Sequence, residues 1–293
     1  MRRSMLFLPG NTPNMLINGS FLGSDAVIFD LEDAVSPAEK DAARLLVRNT
    51  MKYMDFTRCE TIVRINSIDT AYWKSDVDAI LPQQPNLIML PKTGRAEDVL
   101  TADAYITQVE QALGYAPNTV RLMPLIETAL GVENAYEIAS ACDRVAAIFL
   151  GAEDLTADLQ CKRTKEGREI EYARHRMVVA ARAAGVDVYD TPFTDVNDDE
   201  GIRTDAAYAR ALGFTGKASI SPRHVEVINE VFSPTQKDID YAYEVMDAIR
   251  LAKEQGKGAI ALRGKMIDAP IVARAQQTIA MAEELGLERS SGQ

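Results

Sequence analysis

Eight short apolar runs dominate this sequence, at intervals of roughly 30 residues, the length of a strand with its crossover helix. Most of the runs are rich in aliphatic residues, many of them β-branched, and the second to sixth runs end in a polar or charged residue. The runs lie at 4–9, 25–33, 61–66, 87–92, 121–127, 145–154, 187–193 and 213–222. Short runs bounded by polar residues are typical of buried parallel strands, so we expect eight such strands.

Helical patterns fill most of the intervals between the runs. They lie at 37–53, 96–113, 132–141, 166–184 and 199–212. Buried strands that alternate with helices predict an α/β fold, specifically a (β/α)8 TIM barrel. The alternative is a doubly wound open sheet, which would carry a glycine-rich fingerprint after its first strand. That position reads PGNTPN instead, so the barrel is favoured.

The pattern changes after the eighth run. A helix is predicted over 235–255, a glycine-bearing stretch over 256–265, and a second helix over about 270–285. We therefore predict a barrel domain over 1–230 and a C-terminal helical extension over 231–293. The extension is too small for an independent domain, and a lid or an arm against another subunit suits it better.

Charge and composition exclude several classes of protein. The chain has 293 residues with 32 Lys and Arg against 43 Asp and Glu, a net charge of −11. That surplus disfavours nucleic-acid and anionic-membrane partners, which need basic surfaces. No apolar run approaches the ~20 residues of a membrane span. The cysteines (Cys59, Cys142 and Cys161) form no CxxC pair, as expected of reduced thiols in a cytoplasmic protein.

Charged and polar residues close the second to sixth runs. They are Asp30, Glu32, Asp33, Arg64, Asn66, Lys92, Glu127, Glu153 and Asp154. Active residues of a barrel gather at the carboxyl ends of its strands, so these side chains should share one rim. Because buried charge is costly unless it is paired or bound to metal, such a concentration predicts an active site.

The carboxylates of Glu127 and Asp154 form the best candidate metal site. They end neighbouring runs, and two carboxylates completed by water and substrate oxygens suit Mg²⁺. A zinc site is not expected, because His175 and His224 join no Cys/His cluster. We interpret both histidines as structural or surface residues.

Three further features have two interpretations each. Arg64 should point into the barrel mouth, where it could bind a carboxylate or an enolate oxygen, or form an internal salt bridge to Asp30 or Glu32. The small residues of the sequence GAED at 151–154 could present backbone N–H groups to a substrate carboxylate. Lys92 could form a Schiff base or, more commonly, belong to an ion pair.

Motifs over nearly the whole chain resemble one known family. They are RRSMLFLPGN, AVIFDLEDAVSPAEKDAAR, TIVRIN, LPKT, LIETALG, FLGAEDL and GKMIDAPIVARA. In order and spacing they are similar to the citrate lyase β-subunit family, within the magnesium-dependent malyl-, citramalyl- and citryl-thioester lyases. The stretch SPTQKDID favours the citrate lyase branch.

The resemblance implies a barrel that assembles as a homotrimer and uses Mg²⁺. By motif position it makes Arg64 a substrate-binding and catalytic residue and Glu127 and Asp154 the metal ligands. It makes Asp268 a catalytic residue on a C-terminal lid, often contributed across a subunit boundary. We add the hypothesis that Glu32, Asp33 and Lys92 surround the metal site. Gly151, Ala152 and Glu153 complete the predicted substrate-binding set.

The reaction implied is retro-Claisen cleavage of a citryl thioester to oxaloacetate and an acetyl thioester. The implied partners are the citrate lyase α subunit and the acyl-carrier γ subunit. Asn14 and Asn18 stand where coenzyme A-using relatives carry basic residues, which favours an acyl-carrier protein over coenzyme A as the thioester carrier. Arg2 and Arg3 are candidates for the residues that dock this carrier protein. The alternatives are a malyl-CoA or citramalyl-CoA lyase, a non-catalytic assembly subunit, and an aldolase that acts on free pyruvate.

Overall fold

Two compact units make up the computed structural model, which describes residues 1–254 and 260–290. Residues 2–232 form the first unit, and residues from Ser233 onward form the second with Met1. Among the described residues, no helix combines the length and apolar character needed to cross a bilayer.

Eight parallel strands form a closed barrel in the first unit. In chain order they are β1 (Ser4–Pro9), β2 (Ala26–Asp30), β3 (Glu60–Arg64), β4 (Leu87–Leu90), β5 (Arg121–Ile126), β6 (Ala147–Leu150), β7 (Asp187–Asp190) and β8 (Gly216–Ser219). Each strand pairs with the next, and β8 pairs with β1 through Met5 and Ala218. The predicted (β/α)8 TIM barrel is therefore confirmed.

Helices surround the barrel, but they are more numerous and shorter than the sequence predicted. They are α1 (Pro13–Asn18), α2 (Lys40–Tyr53), α3 (Trp73–Ile80), α4 (Ala96–Leu113), α5 (Ala129–Glu133), α6 (Ala135–Ala139), α7 (Ala152–Asp158), α8 (Glu171–Ala184), α9 (Asp199–Leu212) and α10 (Val225–Phe232). Short 3₁₀ turns lie at Gly19–Phe21, Pro37–Glu39, Leu81–Gln83, Arg168–Ile170 and Pro222–His224. The pattern at 132–141 is divided between α5 and α6, and the helix predicted from 166 begins at Glu171.

Alternation along the strands gives the barrel two separate cores. Ile28 and Ile62 belong to the cluster inside the barrel, whereas Phe29, Val63 and their equivalents pack outward against the helices. Both sets are almost completely buried, as expected of a parallel sheet covered by helices. The alternation that places Ile62 inside also directs Arg64, two residues further, to the barrel mouth.

Within its described residues, 233–254 and 260–290, the second unit contains two helices and a hairpin. They are α11 (Gln236–Glu254), β9 (Ile260–Leu262), β10 (Lys265–Ile267) and α12 (Ala269–Glu284). The hairpin was not predicted, because its strands have only three residues each. It begins within the predicted glycine-bearing stretch, of which residues 256–259 are outside the described residues. Arg263 and Gly264 form its turn with φ of 50° and 75°, as in a two-residue hairpin loop.

Candidate active site

A cavity of about 350 Å³ opens at the carboxyl ends of the barrel strands. Its walls combine apolar side chains, among them Phe7, Leu125 and Phe149, with charged ones. The charged residues that line it are Asp30, Asp33, Arg64, Glu127, Glu153 and Asp154. A larger cavity of about 540 Å³ lies on the outer side, between the 165–171 segment and α9, and contains none of these residues.

Arg64 lines this cavity but is held by carboxylates of the protein. Its Nε and Nη2 donate to Asp30 at 2.8 and 2.6 Å, and its Nη1 lies 3.0 Å from Glu32 Oε2. Burial alone would lower the pKa of Arg64, but the charge and hydrogen bonds of Asp30 raise it. The internal salt bridge is thus present, and the guanidinium still lies at the cavity wall, 5.2 Å from the centre of the Phe7 ring.

Glu127 follows β5 and is nearly inaccessible to water, with 4% of its surface exposed. Its Oε1 accepts a hydrogen bond from the Lys92 N–H at 2.7 Å. Burial, together with the charge of Glu32, raises the pKa of Glu127 to about 8. Gly151 makes room for this side chain, because a Cβ there would lie 2.8 Å from Glu127 Oε2.

Lys92 contacts both candidate metal ligands. Its backbone is left-handed, with φ of 53°, and directs the N–H toward Glu127. Its Nζ lies 3.1 Å from Asp154 Oδ2, 3.4 Å from Glu32 Oε1 and 3.8 Å from Asp33 Oδ1. Burial lowers the pKa of Lys92, but Glu32 and the other carboxylates outweigh it and raise the pKa. A lysine held as an ammonium is a poor Schiff-base nucleophile, so the geometry favours the ion-pair interpretation.

Glu32 is a further buried carboxylate, next to Arg64 and Lys92 of the site. Burial raises its pKa to about 7, although Arg64 and Lys92 lower it in part. Its Oε2 has no aligned hydrogen-bond donor, even though the Arg64 guanidinium lies close by. This oxygen is therefore stabilised by charge alone, and an additional cation nearby would favour its ionised form.

The donor set fits a hard divalent cation. Five carboxylates (Asp30, Glu32, Asp33, Glu127 and Asp154) lie among two cationic side chains, Arg64 and Lys92. Within residues 1–254 and 260–290, no group of three or more His, Cys, Asp or Glu side chains is arranged as a complete metal cage. Two protein carboxylates completed by water and substrate oxygens match Mg²⁺, which loses its hydration reluctantly.

The GAED segment differs from its predicted position and role. The strand ends at Leu150, so Glu153 and Asp154 lie in the first turn of α7 instead of at a strand end. The Gly151 N–H donates to the Ile126 carbonyl at 2.9 Å, and the Ala152 N–H donates to Thr191 Oγ1 at 3.2 Å. Both amides already have protein partners, so the expectation that they hold a substrate carboxylate is revised.

Asn66 also takes a different place from the one expected. It is buried, and both its backbone N–H and its side-chain amide donate to Asp76 Oδ2, at 2.9 and 2.7 Å. Asn66 therefore orders the loop after β3 and does not line the cavity.

Comparison with known proteins assigns the family. Residues 3–222 match the family model described as HpcH/HpaI aldolase/citrate lyase. The chain belongs to this family. It is a carbon–carbon lyase, as the family description and its relatives indicate.

Citrate lyase β subunits are among its relatives over the full length. The chain is 43% identical to citrate lyase subunit beta of Leuconostoc mesenteroides subsp. cremoris, covering 100% of this chain and 97% of the relative. It is 35% identical to an L-malyl-CoA/β-methylmalyl-CoA lyase of Cereibacter sphaeroides, covering 96% of this chain and 94% of the relative.

A solved relative of the same family has a similar structure. The chain is 31% identical to CitE of Mycobacterium tuberculosis, whose structure was determined in complex with magnesium, acetoacetate and coenzyme A. The two superpose with a TM-score of 0.76 over 96% of this chain and 98% of the other.

Asp268 lies in the second unit of this HpcH/HpaI family member. It is exposed and caps α12, where its side chain accepts the Ile271 N–H at 3.2 Å. An N-cap is a sufficient structural reason for an aspartate here. Its catalytic role therefore stays a prediction.

The positions that bear on the thioester carrier do not line the cavity. Asn14 and Asn18 are exposed on α1, where the Asn18 amide donates to the Asn14 carbonyl. Arg2 is paired with Glu60, and Arg3 is paired with Asp25. The two arginines are largely neutralised at the amino-terminal end of the barrel, which argues against their role in docking a carrier protein.

Thr191 is a residue that the sequence did not single out. It lines the cavity, and its hydroxyl supports the start of α7. A lone threonine after a strand carries no signal of that contact, because the contact joins segments 39 residues apart.

Proposed function

We propose that this chain is the thioester-cleaving β subunit of a citrate lyase. It converts a citryl thioester to oxaloacetate and an acetyl thioester. The observation that carries the proposal is one cavity, lined by Arg64, Glu127 and Asp154, in a chain 43% identical to a citrate lyase subunit beta over its full length.

The cofactor is Mg²⁺, and Glu127 and Asp154 would hold it. When bound, it supplies positive charge that favours loss of the citryl hydroxyl proton and polarises the carbonyl that forms. The solved relative, determined in complex with magnesium, supports Mg²⁺ as the cofactor. The high pKa of Glu127 adds support, because a carboxylate that is disfavoured by burial gains most from a nearby cation.

Residues of the chain carry the remaining steps. Transfer of the citryl hydroxyl proton to a base, either a cavity carboxylate or a water molecule, allows the carbon–carbon bond to break. The hydroxyl carbon becomes the carbonyl of oxaloacetate, and the electron pair of the broken bond passes to the acetyl fragment as a thioester enolate. Arg64 provides positive charge near the enolate oxygen, and Asp30 and Glu32 fix its orientation. The backbone N–H of Glu153, in the first turn of α7, would donate to a substrate carboxylate. Asp268 would protonate the enolate carbon.

The assembly is part of the proposal. The barrel (1–230) would hold the catalytic cavity, and the extension (231–293) would act as the lid that brings Asp268, from a neighbouring subunit of a homotrimer. The α subunit and the acyl-carrier γ subunit would supply the citryl thioester in the cytoplasm. Support comes from the relatives, which are named as subunits of citrate lyase.

The direct test is Mg²⁺-dependent release of oxaloacetate from a citryl thioester. Glu127→Gln and Asp154→Asn should each lower the rate at least a hundredfold at saturating substrate. Glu137→Gln, an exposed carboxylate on α6, is the matched control and should keep the wild-type rate. Near-wild-type cleavage by both site variants would refute the assignment.

A second candidate function is cleavage of malyl-CoA or citramalyl-CoA. The 35% identity to an L-malyl-CoA/β-methylmalyl-CoA lyase over 96% of this chain favours it. A panel of citryl, malyl and citramalyl thioesters, each on coenzyme A and on carrier protein, separates the two. Preference for citryl-carrier protein supports the citrate lyase assignment, and preference for malyl-CoA or citramalyl-CoA supports the alternative.

A further inference from the structure

Four buried charged residues form a closed cluster behind the active-site cavity. Asp190 ends β7 and Lys217 lies on β8, both fully buried, while Arg174 on α8 and Asp205 on α9 approach from outside. Arg174 donates two hydrogen bonds to Asp190, at 3.0 and 2.8 Å, and a third to Asp205 at 2.7 Å. The cluster contains two cations and two anions, and each contacts both opposite charges.

Lys217 links this cluster to the cavity wall. Its Nζ lies 2.5 Å from Asp190 Oδ2 and 2.6 Å from Asp205 Oδ2, and it donates to the Thr191 carbonyl at 2.7 Å. The contacts to Asp190 and to the Thr191 carbonyl are hydrogen bonds, whereas the contact to Asp205 Oδ2 is an ion pair without hydrogen-bond geometry. Because apolar residues of similar size often stabilise a core as well as buried ion pairs do, stability alone does not explain this arrangement. Its geometric consequence is a fixed Thr191 carbonyl.

Thr191, whose carbonyl is held by Lys217, also contacts the start of α7 through its side chain. It is 1% exposed, and its hydroxyl accepts the Ala152 N–H at 3.2 Å. Ala152 is the first residue of α7, where amides have no partner within the helix, and the preceding Gly151 has no side chain to cap them. Asp154 lies two residues further in the same turn. A shift of that turn would therefore move the Asp154 carboxylate relative to Glu127.

We propose that Thr191 is a positioning residue. It sets the orientation of the first turn of α7, and the cluster of Asp190, Lys217, Arg174 and Asp205 holds it in place. The metal-binding consequence rests on the proposed function, in which Asp154 is a ligand. The effect on the helix turn does not depend on that function.

The test compares Thr191→Val with Thr191→Ser. Valine keeps the shape of threonine but removes the hydroxyl, whereas serine keeps it. Thr61→Val is the matched control, because Thr61 is a buried threonine at the amino-terminal end of β3 with a weak hydrogen bond to Asn86 of 3.3 Å. Amide hydrogen exchange of metal-free protein is followed by mass spectrometry in peptides covering α7, with α4 as an internal reference.

In Thr191→Val, we expect exchange at the start of α7 to rise about tenfold while α4 is unchanged. Thr191→Ser and Thr61→Val should exchange as wild type in α7. Mg²⁺ affinity, measured by calorimetry without substrate, should weaken by about 10- to 100-fold in the valine variant and recover in the serine variant.

Unchanged exchange in α7, or an equal rise in α4, would overturn the proposal, because the hydroxyl would then be dispensable or generally structural. If the wild-type protein binds no Mg²⁺, the proposed function fails, but the exchange result still decides whether Thr191 positions the helix. If exchange changes as expected and Mg²⁺ affinity does not, the link from Thr191 to Asp154 is refuted.

Discussion

Replacing Glu127 by glutamine should stabilise the metal-free protein at alkaline pH while removing its response to Mg²⁺. Folding raises the pKa of Glu127 from 4.5 to about 8, so the folded state holds this proton more tightly than the unfolded state. Ionising Glu127 in the folded protein therefore costs stability. This loss of stability is absent below about pH 4.5, grows as the pH rises toward 8, and is complete above about pH 8. Glutamine is uncharged and avoids this loss at every pH.

The size of the effect follows from the same change in pKa. At about 1.4 kcal/mol for each tenfold change in proton affinity, a rise from 4.5 to about 8 gives an upper bound of about 5 kcal/mol. Relaxation and water entry reduce the cost of a buried charge, so we expect a gain of about 2 kcal/mol at about pH 8. For a chain of this size that is about 4 °C in melting temperature. The amide oxygen can still accept the Lys92 N–H, so little is lost elsewhere.

Thermal unfolding in a chelator, repeated with Mg²⁺, measures both parts. At about pH 8, Glu127→Gln should melt above wild type without metal, and only wild type should gain stability from Mg²⁺. At about pH 5 the difference between the metal-free proteins should shrink to a few tenths of a kcal/mol. Glu137→Gln should behave as wild type throughout. A Glu127→Gln protein that is destabilised at both pH values, or that Mg²⁺ stabilises as it does wild type, would refute this reasoning.

Three other substitutions test the proposed mechanism. Gly151→Ala should lower cleavage at least tenfold and destabilise the fold by about 1–3 kcal/mol, because its Cβ would lie 2.8 Å from Glu127 Oε2. Gly94→Ala, whose Cβ would meet nothing closer than 3.7 Å, should keep full activity, and equal losses in both would contradict the steric argument. Lys92→Met should destabilise the metal-free protein by about 1 kcal/mol above neutral pH, because an ammonium that lies among carboxylates is lost. Chemical denaturation with and without Mg²⁺ measures the free energy of unfolding, and an unchanged value would refute the prediction. Asp268→Asn keeps a competent helix cap, so its melting temperature should stay within about 1 °C while cleavage falls about a hundredfold; an unchanged rate would remove Asp268 from the mechanism.

Much of the rim could be predicted because strand alternation and strand ends are local properties. The spacing between Ile62 and Arg64 is enough to direct the guanidinium into the barrel mouth, and Glu127 lies directly after the last residue of β5. Asp154 was harder, since an apolar run that ends in acidic residues looks the same whether those residues finish a strand or begin a helix. The local sequence therefore predicted that Asp154 lies at the carboxyl end of the barrel, but not that its backbone is helical.

The sequence alone determined the barrel and the set of charged residues at its carboxyl end, because periodicity and the high cost of buried charge are visible in one dimension. The tertiary structure decided what those charges do to each other. Burial and the charge of Glu32 raise the pKa of Glu127. The left-handed backbone of Lys92 directs its N–H to the same carboxylate. Thr191 accepts a hydrogen bond from the start of a helix 39 residues away in the sequence. Each of these depends on distances between segments remote in sequence, and electrostatic and hydrogen-bond energies are set by those distances.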